Sequence, residues 1–304
     1  MNIVFMGSPE FAIPSLEKLH HSEHNIVAVV SNVDKRRGRG SEKAPTPIKA
    51  KAIELGLPVV EVEDLKSEEF EAKLRALNAD LFVVVAFRVL PVNVLAIPKI
   101  GSINLHASLL PKYRGAAPIH WAIINGEKET GCTIFFLDEK VDTGNILLQK
   151  RMEIGENETT GSLYERLMIE GSIQLLKAVT LIASQDYELL KQDDSLASPA
   201  PKLFKENTHL DFNETAQKVH DKIRGLSPFP TAWAMWGDKK MNIFSSEIAT
   251  GLQLKNGELL VKENRLFVGC KDGSVELLEI QLPGKKRVSG TEYIRGHEVE
   301  GFLS

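Results

Sequence analysis

The sequence predicts an α/β protein in which a doubly wound, mostly parallel sheet is followed by a small antiparallel barrel or sandwich. Through about the first 190 residues, apolar strand patterns alternate with helical patterns, which is typical of a sheet covered by helices on both faces. Beyond Trp233 the pattern changes to short strands separated by Asn-Gly, Glu-Asn and Asp-Gly turns. The length of 304 residues leaves each region enough chain to bury its own core.

The first region opens with a strand, a turn at Gly7 and a helical pattern, which is how a parallel α/β unit begins. The apolar side chains of Phe11, Leu16 and Leu19 define that first helix. The remaining patterns predict strands at residues 2–6, 25–31, 81–87, 103–106 and 133–137, and helices at residues 48–55 and 161–183.

The pattern lapses at residues 190–205, where prolines and small polar residues predict a linker. After it, Asn213 is a candidate N-cap for a helix that ends at Gly225. Strands are expected at residues 240–244, 258–261, 265–269 and 275–281. We therefore predict a catalytic domain at 1–189, a linker at 190–205 and a second domain at 206–304.

Composition excludes several classes of protein. Hydrophobic residues make up 43% and charged residues 26%, which argues against collagen-like, disordered and coiled-coil structures. The longest apolar run, residues 81–87, is far shorter than the roughly 20 residues that span a bilayer. Cys132 and Cys270 do not form a metal-binding spacing. We expect a cytosolic protein with reduced, buried thiols, no membrane partner and no metal.

Nucleotide-binding fingerprints are missing from the sequence. A single Gly7 follows the first strand, which falls short of the G-x-G-x-x-G pattern of dinucleotide sites. The G-x-x-x-x-G-K-[ST] pattern of phosphate-binding loops does not occur.

Asn104 and His106 are the first candidate site residues. They lie two apart on a predicted strand, so both side chains point to the same face, at the end where open α/β sheets bind ligands. An isolated pair of this kind is usually hydrogen-bonded structure. Here, however, the strand at residues 133–137 leads into a polar loop with Asp142, expected at the same sheet edge and within reach of His106. The three groups suit a reaction that develops negative charge on a carbonyl oxygen while a nucleophile loses a proton.

The residues around His106 form a longer motif, N-x-H-x-S-L-L-P-x-x-R-G-A-A-P, from Asn104 to Pro118, and Asp142-Thr143-Gly144 follow downstream. On these motifs, and essentially from end to end, the chain resembles the methionyl-tRNA formyltransferase family, within the 10-formyltetrahydrofolate-dependent formyl transferases and hydrolases. The resemblance implies a Rossmann-like formyltransferase domain followed by an OB-like barrel, and a catalytic trio of Asn104, His106 and Asp142. It also implies a folate site bordered by two loops, Ser108, Leu109, Leu110, Pro111 and Phe87, Arg88, Val89, Leu90.

By the same resemblance, the activity is transfer of a formyl group from 10-formyltetrahydrofolate to the amino group of initiator methionyl-tRNA, for translation initiation. The enzyme is expected to be a monomer. His106, as imidazolium, and the Asn104 amide would donate to the developing oxyanion, while Asp142 would orient the imidazole and assist proton movement. The sequence departs from the family at Phe87-Arg88, where Tyr-Gly is more common.

A basic segment interrupts the first region. Residues 34–51 hold seven Lys or Arg against two acids, although the whole chain has a net charge of −4. Such a segment is usually a solvated loop, but in the family a basic loop containing Gly-Arg-Gly enters the acceptor end of the tRNA. The residues that the resemblance assigns to tRNA phosphates are Arg36, Arg37, Arg39 and Lys43, together with Lys285, Lys286 and Arg287 of the barrel.

Four other functions are open at this point. Ser108 lies near His106, but it lacks the G-x-S-x-G elbow of a serine hydrolase. A glycinamide ribonucleotide transformylase would have no use for residues 206–304, and a nucleotide-sugar formyltransferase would not need the basic segment. A catalytically idle RNA-binding module would have no use for Asn104, His106 and Asp142.

Overall fold

The computed structural model describes residues 1–36 and 43–304, and of Lys35, Arg36 and Lys43 it describes the backbone. The strands are β1 (Asn2–Gly7), β2 (Asn25–Asn32), β3 (Lys35–Arg36), β4 (Lys43–Ala44), β5 (Val59–Val62), β6 (Leu81–Val85), β7 (Gly101–His106), β8 (Arg114–Gly115), β9 (Glu129–Phe136), β10 (Ile146–Glu153), β11 (Pro199–Ala200), β12 (Ala232–Trp236), β13 (Lys239–Ala249), β14 (Leu259–Lys262), β15 (Arg265–Cys270), β16 (Gly273–Gln281) and β17 (Val288–Ser289). The α-helices are α1 (Ile13–His20), α2 (Pro47–Glu54), α3 (Glu68–Ala76), α4 (Val92–Leu95), α5 (Pro118–Ile124), α6 (Thr160–Ser184), α7 (Ala216–Gly225) and α8 (Gly290–Gly296). Short 3₁₀ turns occur at Glu10–Ala12, Asp194–Leu196 and Lys205–Thr208.

The chain divides into two compact units that are not contiguous in sequence. The first unit comprises Met1–Gly115, Gly131–Met152 and Tyr164–Pro199. The second unit comprises Ala116–Thr130, Glu153–Leu163 and Ala200–Ser304. Two segments that precede residue 189 in the sequence thus fold with the C-terminal part of the chain.

The first unit is built on a sheet with strand order β10-β9-β7-β6-β1-β2-β5. The pairs β1–β2, β1–β6, β2–β5 and β6–β7 are parallel, whereas β7–β9 is antiparallel. The central strand β6 is buried at every position, because helices cover both faces of a parallel sheet and select apolar residues for both. The predicted fold class, a mostly parallel sheet followed by an antiparallel one, is confirmed.

The edges of this sheet were not predicted. Strands β5 and β10 lie at its two ends, and each has exposed positions that break the apolar pattern. The predicted strand at 81–87 stops at Val85, because Ala86 has a φ of 49° and leaves the extended conformation.

The helix predicted at residues 161–183 is present as α6, one residue longer at each end. Among the described residues α6 is the one helix whose length and apolar composition would allow it to cross a membrane, and core helices of water-soluble proteins pass the same test.

The second unit is built on an antiparallel sheet with strand order β12-β13-β16-β15-β14, and β17 pairs with β16. The last residues of the chain bridge its two edges, because Leu303 pairs with Trp236 of β12 and Phe302 pairs with Glu258 beside β14. Strand β12 was not predicted. The N-cap of α7 is Thr215 and not Asn213, since the Thr215 side chain accepts from Lys218 N while Asn213 is bonded to Asp211.

A buried ion pair ties residues 153–163 to helix α7. Arg224 and Asp221 are each 3% exposed and pair at 2.7 Å. Arg224 also donates to the carbonyl of Glu158 at 3.0 Å, and the Thr160 hydroxyl donates to the carbonyl of Gly225 at 2.7 Å. These contacts explain why this segment belongs to the second unit.

Candidate active site

Strand β7 places two polar side chains at its carboxyl end. Asn104 and His106 alternate with the buried Ile103 and Leu105, as the sequence predicts. Leu105 pairs in register with Val85 of β6, so the loops that follow β6 and β7 leave the sheet side by side. The Asn104 side chain makes no hydrogen bond with the described residues and is available to a ligand.

The two ring nitrogens of His106 face different partners. Nε2 lies 2.8 Å from the carbonyl oxygen of Tyr113, and because a carbonyl only accepts, this nitrogen carries a proton. Nδ1 faces Asp142, 3.8 Å from Oδ2. His106 is 6% exposed and Asp142 is 8% exposed, so the charge of one acts on the other with little screening. Nδ1 is therefore the nitrogen that can exchange a proton.

Asp142 does not come from the sheet edge that the sequence indicates. Strand β9 runs antiparallel to β7, so Phe136 lies beside Ile103, three residues or about 10 Å below His106. The loop after β9 instead folds back toward the carboxyl end of β7. At its tip, Asp142 has a φ of 57°, and its Oδ2 accepts a 2.8 Å hydrogen bond from the backbone N–H of Gly115.

The loop that carries Asp142 is fixed by its own polar residues. Asp138 Oδ1 accepts from the Thr143 hydroxyl at 2.7 Å and from Lys140 N at 3.0 Å. Gly144 follows at a point where a Cβ would lie 1.7 Å from the carbonyl oxygen of Phe136. The Asp-Thr-Gly motif therefore has a steric reason for its glycine and a hydrogen-bonding reason for its threonine.

The first loop that the resemblance assigns to folate, residues 108–111, is held by hydrogen bonds to Thr133 of strand β9. Thr133 Oγ1 donates to the carbonyl of Ser108 at 2.7 Å and accepts from Leu110 N at 3.1 Å. The fully buried Ser108 hydroxyl donates to the carbonyl of Lys112 at 2.7 Å. Since both nitrogens of His106 face other groups, the contacts give Ser108 a role in shaping the loop and not that of a nucleophile. Leu109 and Pro111 are half-buried, and Leu110 is buried.

The second loop that the resemblance assigns to folate, residues 87–90, holds its arginine against strand β5. The Arg88 guanidinium donates to the carbonyls of Val62 and Glu63, at 2.9 and 2.8 Å, and lies over the Phe87 ring. Burial lowers the pKa of Arg88. Val89 is 71% exposed, whereas Leu90 is buried. Arg88 thus fixes the loop against the end of β5.

Three contacts of the site were not assigned from the sequence. Tyr113 acts through its carbonyl and Gly115 through its N–H, and a backbone contact has no signal in residue type. Gln192 lies in the predicted linker, yet it is 7% exposed and donates to the carbonyls of Asp142 and Gly144. Because the residues next to Gln192 in the sequence are polar or small, the sequence predicts an exposed segment, and only the fold shows that this side chain is buried.

The basic residues that the resemblance assigns to tRNA divide into four groups. Arg37 and Arg39 lie outside the described residues, while Arg36 and Lys43 are paired in the β3–β4 ladder. Lys285 and Lys286 are exposed. Arg287 is already engaged, by an ion pair with Glu279 and by contact with the Phe244 ring, 4.2 Å from its centroid. In the part of the chain that the structure describes, no cluster of His, Cys, Asp and Glu could hold a metal ion.

Comparison with known proteins agrees with this arrangement. The family model of the formyl transferases matches residues 1–180, and that of the formyl transferase C-terminal domain matches residues 202–298. A methionyl-tRNA formyltransferase of Chlorobium limicola is 44% identical, over 99% of this chain and 97% of its own. A methionyl-tRNA formyltransferase of Bacteroides thetaiotaomicron is 42% identical, over 97% of this chain and 95% of its own.

Solved structures share the fold at lower identity. WlaRD, a sugar 3N-formyl transferase solved in the presence of dTDP and 5-N-formyl-THF, has a TM-score of 0.70 and 22% identity, covering 94% of this chain and 99% of its own. An N-formyltransferase from Helicobacter canadensis, in complex with folinic acid and dTDP-3-aminofucose, has a TM-score of 0.69 and 23% identity, covering 90% and 98%. The matched domains and the near full-length identity together show that the chain belongs to the methionyl-tRNA formyltransferase family.

Proposed function

We propose that this protein transfers a formyl group from 10-formyltetrahydrofolate to the amino group of initiator methionyl-tRNA. The observation that carries the proposal is the buried pair of His106 Nδ1 and Asp142 Oδ2, 3.8 Å apart, with the Asn104 amide, to which no described side chain or backbone group is bonded, on the strand of His106. A base, a carboxylate that orients it and a free amide donor are what acyl transfer to an amine requires.

The residues fit a folate at the ends of β6 and β7. The two loops leave the sheet side by side, and they offer apolar surface at the exposed Val89 and the half-buried Phe87 and Leu109. We propose that residues 87–90 and 108–111 border the bound folate. When bound, 10-formyltetrahydrofolate supplies the formyl carbon from its N10 atom. The Asn104 amide would donate to the formyl oxygen, on which negative charge would develop during transfer.

His106 moves the proton. Its Nε2 proton is held by the Tyr113 carbonyl, so Nδ1 is the nitrogen that gains and loses a proton during the reaction. As an imidazolium, His106 adds positive charge beside the developing oxyanion. As a neutral ring, it would take up the proton that the attacking amine must lose, and it would return a proton to N10 of the folate as the bond between N10 and the formyl carbon breaks.

Asp142 faces the exchanging nitrogen. Its carboxylate is held by the Gly115 N–H, which leaves the second oxygen for the amine or for a bridging water. Its position 3.8 Å from Nδ1 sets the direction of the ring.

Phosphate contacts are expected at two places. We propose that Arg36, Arg37, Arg39 and Lys43 approach the acceptor end of the tRNA, and that Lys285, Lys286 and Arg287 bind phosphates further along it. Arg and Lys contacts to phosphate make binding dependent on salt concentration.

We also propose a division of labour along the sequence, with catalysis at 1–189, tRNA binding at 206–304 and a connecting linker at 190–205, whose residues as far as Pro199 fold with the first unit. The family-model matches at 1–180 and 202–298 support this division. We further propose that the protein acts in the cytosol as a monomer, which light scattering of the purified protein checks.

The strongest alternative is a nucleotide-sugar formyltransferase, and the two functions differ in the molecule that accepts the formyl group. Purified protein with 10-formyltetrahydrofolate is offered charged initiator methionyl-tRNA or an amino-sugar nucleotide, and the formylated product of each is measured. We expect formylation of the methionyl-tRNA alone. Transfer to the amino sugar with none to the tRNA would refute the proposed acceptor.

The basic segment is tested by Arg39→Ala. Losing one phosphate contact weakens the tRNA reaction and reduces the slope of log affinity against log salt by about one. The matched control is Arg75→Ala, because Arg75 is exposed and pairs with Glu71 on helix α3. Unchanged kinetics of Arg39→Ala across ionic strength would remove this loop from the tRNA site.

A further inference from the structure

A buried glutamine holds the loop that carries Asp142. Gln192 Nε2 donates to the carbonyl of Asp142 at 3.0 Å and to the carbonyl of Gly144 at 2.8 Å. These carbonyls flank Thr143, so one amide group fixes the backbone on both sides of the loop's tip. Both amide protons of Gln192 are used.

Arg114 holds the other end of the same amide. Gln192 Oε1 accepts from Arg114 Nη2 at 2.8 Å and from Nε at 3.2 Å, and Nη2 also pairs with the exposed Asp194 at 2.7 Å. The residue after Arg114 is Gly115, whose N–H binds the Asp142 carboxylate. The contacts therefore close a ring that runs from Arg114 through Gln192 and Asp142 to Gly115.

The ring acts on a backbone that needs support. Asp142 has a φ of 57°, in the left-handed region that aspartate enters more readily than most residues but that still costs energy for any residue with a side chain. Without the Gln192 donors, two carbonyls near the buried carboxylate would lack these partners and the loop would relax away from His106. We propose that Gln192, oriented by Arg114, is a positioning residue that sets the distance between Asp142 and His106. The proposal rests on the proposed function for its activity readout.

The chemistry of the ring demands an amide at position 192. The side chain must donate twice on one side and accept twice on the other, which glutamine alone does at this length. Glutamate would keep the contact with Arg114, but it would turn an oxygen toward two carbonyl oxygens. The variant Gln192→Glu therefore removes the donors with almost no change in shape.

The experiment compares Gln192→Glu with Gln174→Glu, a control on helix α6 whose amide donates only to Glu170 among the described residues. Displacing a catalytic group by about 1 Å costs on the order of 100-fold in rate. We expect kcat for formyl transfer to fall about 10- to 100-fold in Gln192→Glu with KM for the folate within about threefold, and the control to match wild type. Unchanged kinetics in Gln192→Glu would overturn the proposal.

A double-mutant cycle separates positioning from general damage. In an Asp142→Asn background the position of the carboxylate no longer matters. Adding Gln192→Glu to that variant should therefore lower kcat by less than about a further threefold. If Gln192→Glu lowers kcat by the same factor in the wild-type and Asp142→Asn backgrounds, the proposal is refuted. If the Gln192 variants do not fold, Arg114→Lys is measured in the same cycle, because it removes the paired donors to Oε1 and keeps the charge.

A readout independent of turnover distinguishes this proposal from the proposed function. The ring ¹H and ¹⁵N signals of His106 report its surroundings without any substrate. We expect them to shift in Gln192→Glu and not in Gln174→Glu. If the His106 signals shift in Gln192→Glu but the wild-type protein formylates no tRNA, Gln192 is a positioning residue and the proposed function is refuted. If the signals do not shift, the positioning role of Gln192 is refuted.

Discussion

Gly144 allows a quantitative prediction, because the space available for a side chain there is known. A Cβ added at Gly144 would lie 1.7 Å from the carbonyl oxygen of Phe136, whereas real Cβ atoms keep at least 3.0 Å. Gly144→Ala must therefore move the loop by about 1.3 Å relative to β9. Asp142 lies two residues earlier in the same loop and faces His106 at 3.8 Å.

A displacement of about 1 Å at a catalytic group costs on the order of 100-fold in rate, or about 2.7 kcal/mol of transition-state stabilisation. We expect single-turnover formyl transfer by Gly144→Ala to fall by about that factor. The control is Gly296→Ala, because nothing lies within 4 Å of a Cβ at that position. Thermal unfolding of both variants shows whether the loss is local.

Two results would refute this reasoning. One is a folded Gly144→Ala enzyme with activity within about threefold of wild type, since the steric argument allows no such tolerance. The other is a crystal structure of the inactive variant in which Asp142 keeps its distance from His106.

Three further predictions concern the site and the second unit. His106→Ala should lower single-turnover transfer by at least about 10² to 10³ with folate binding retained in a fluorescence titration, and near-normal transfer would remove His106 from the mechanism. Arg224→Ala leaves Asp221 buried and unpaired, so the free energy of unfolding in urea should fall by about 3–5 kcal/mol, and a loss below about 1 kcal/mol would contradict the buried pair. Burial, and next the charge of Arg224, hold the pKa of His220 below its usual 6.5, so the unfolded chain binds the proton first and stability falls as pH drops below 6.5. His220→Gln should reduce the difference in unfolding free energy between pH 7.5 and 5.5, and an unchanged difference would refute that linkage.

Periodicity was enough to predict the inner strands and the long helix. Strands β1 and β6 are continuous apolar runs because both of their faces are buried, and α6 shows helical spacing along its whole length. The edge strands β5 and β10 were not predicted, because an edge strand exposes part of its surface and can contain polar residues that interrupt the apolar pattern. Local hydrogen bonds also decided the N-cap of α7 between Asn213 and Thr215, which residue type alone does not distinguish.

The candidate site shows the same division. The spacing of Asn104 and His106 places both side chains on one face, because side chains alternate along any strand. The sequence motifs also identified the family, since they are residue-specific. The position of Asp142 was different: the predicted sheet edge was wrong, because the antiparallel direction of β9 is a property of the whole sheet.

What the sequence by itself determined, then, is the order of elements, the fold class, the family and the residue types of the trio. Tertiary structure alone decided which atoms of those residues meet. The Nε2 proton of His106 is assigned by a Tyr113 carbonyl, and Asp142 is held by an amide from residue 192 and an N–H from residue 115. Backbone groups are the same in every residue, so their hydrogen bonds leave no trace in the sequence until the chain has folded.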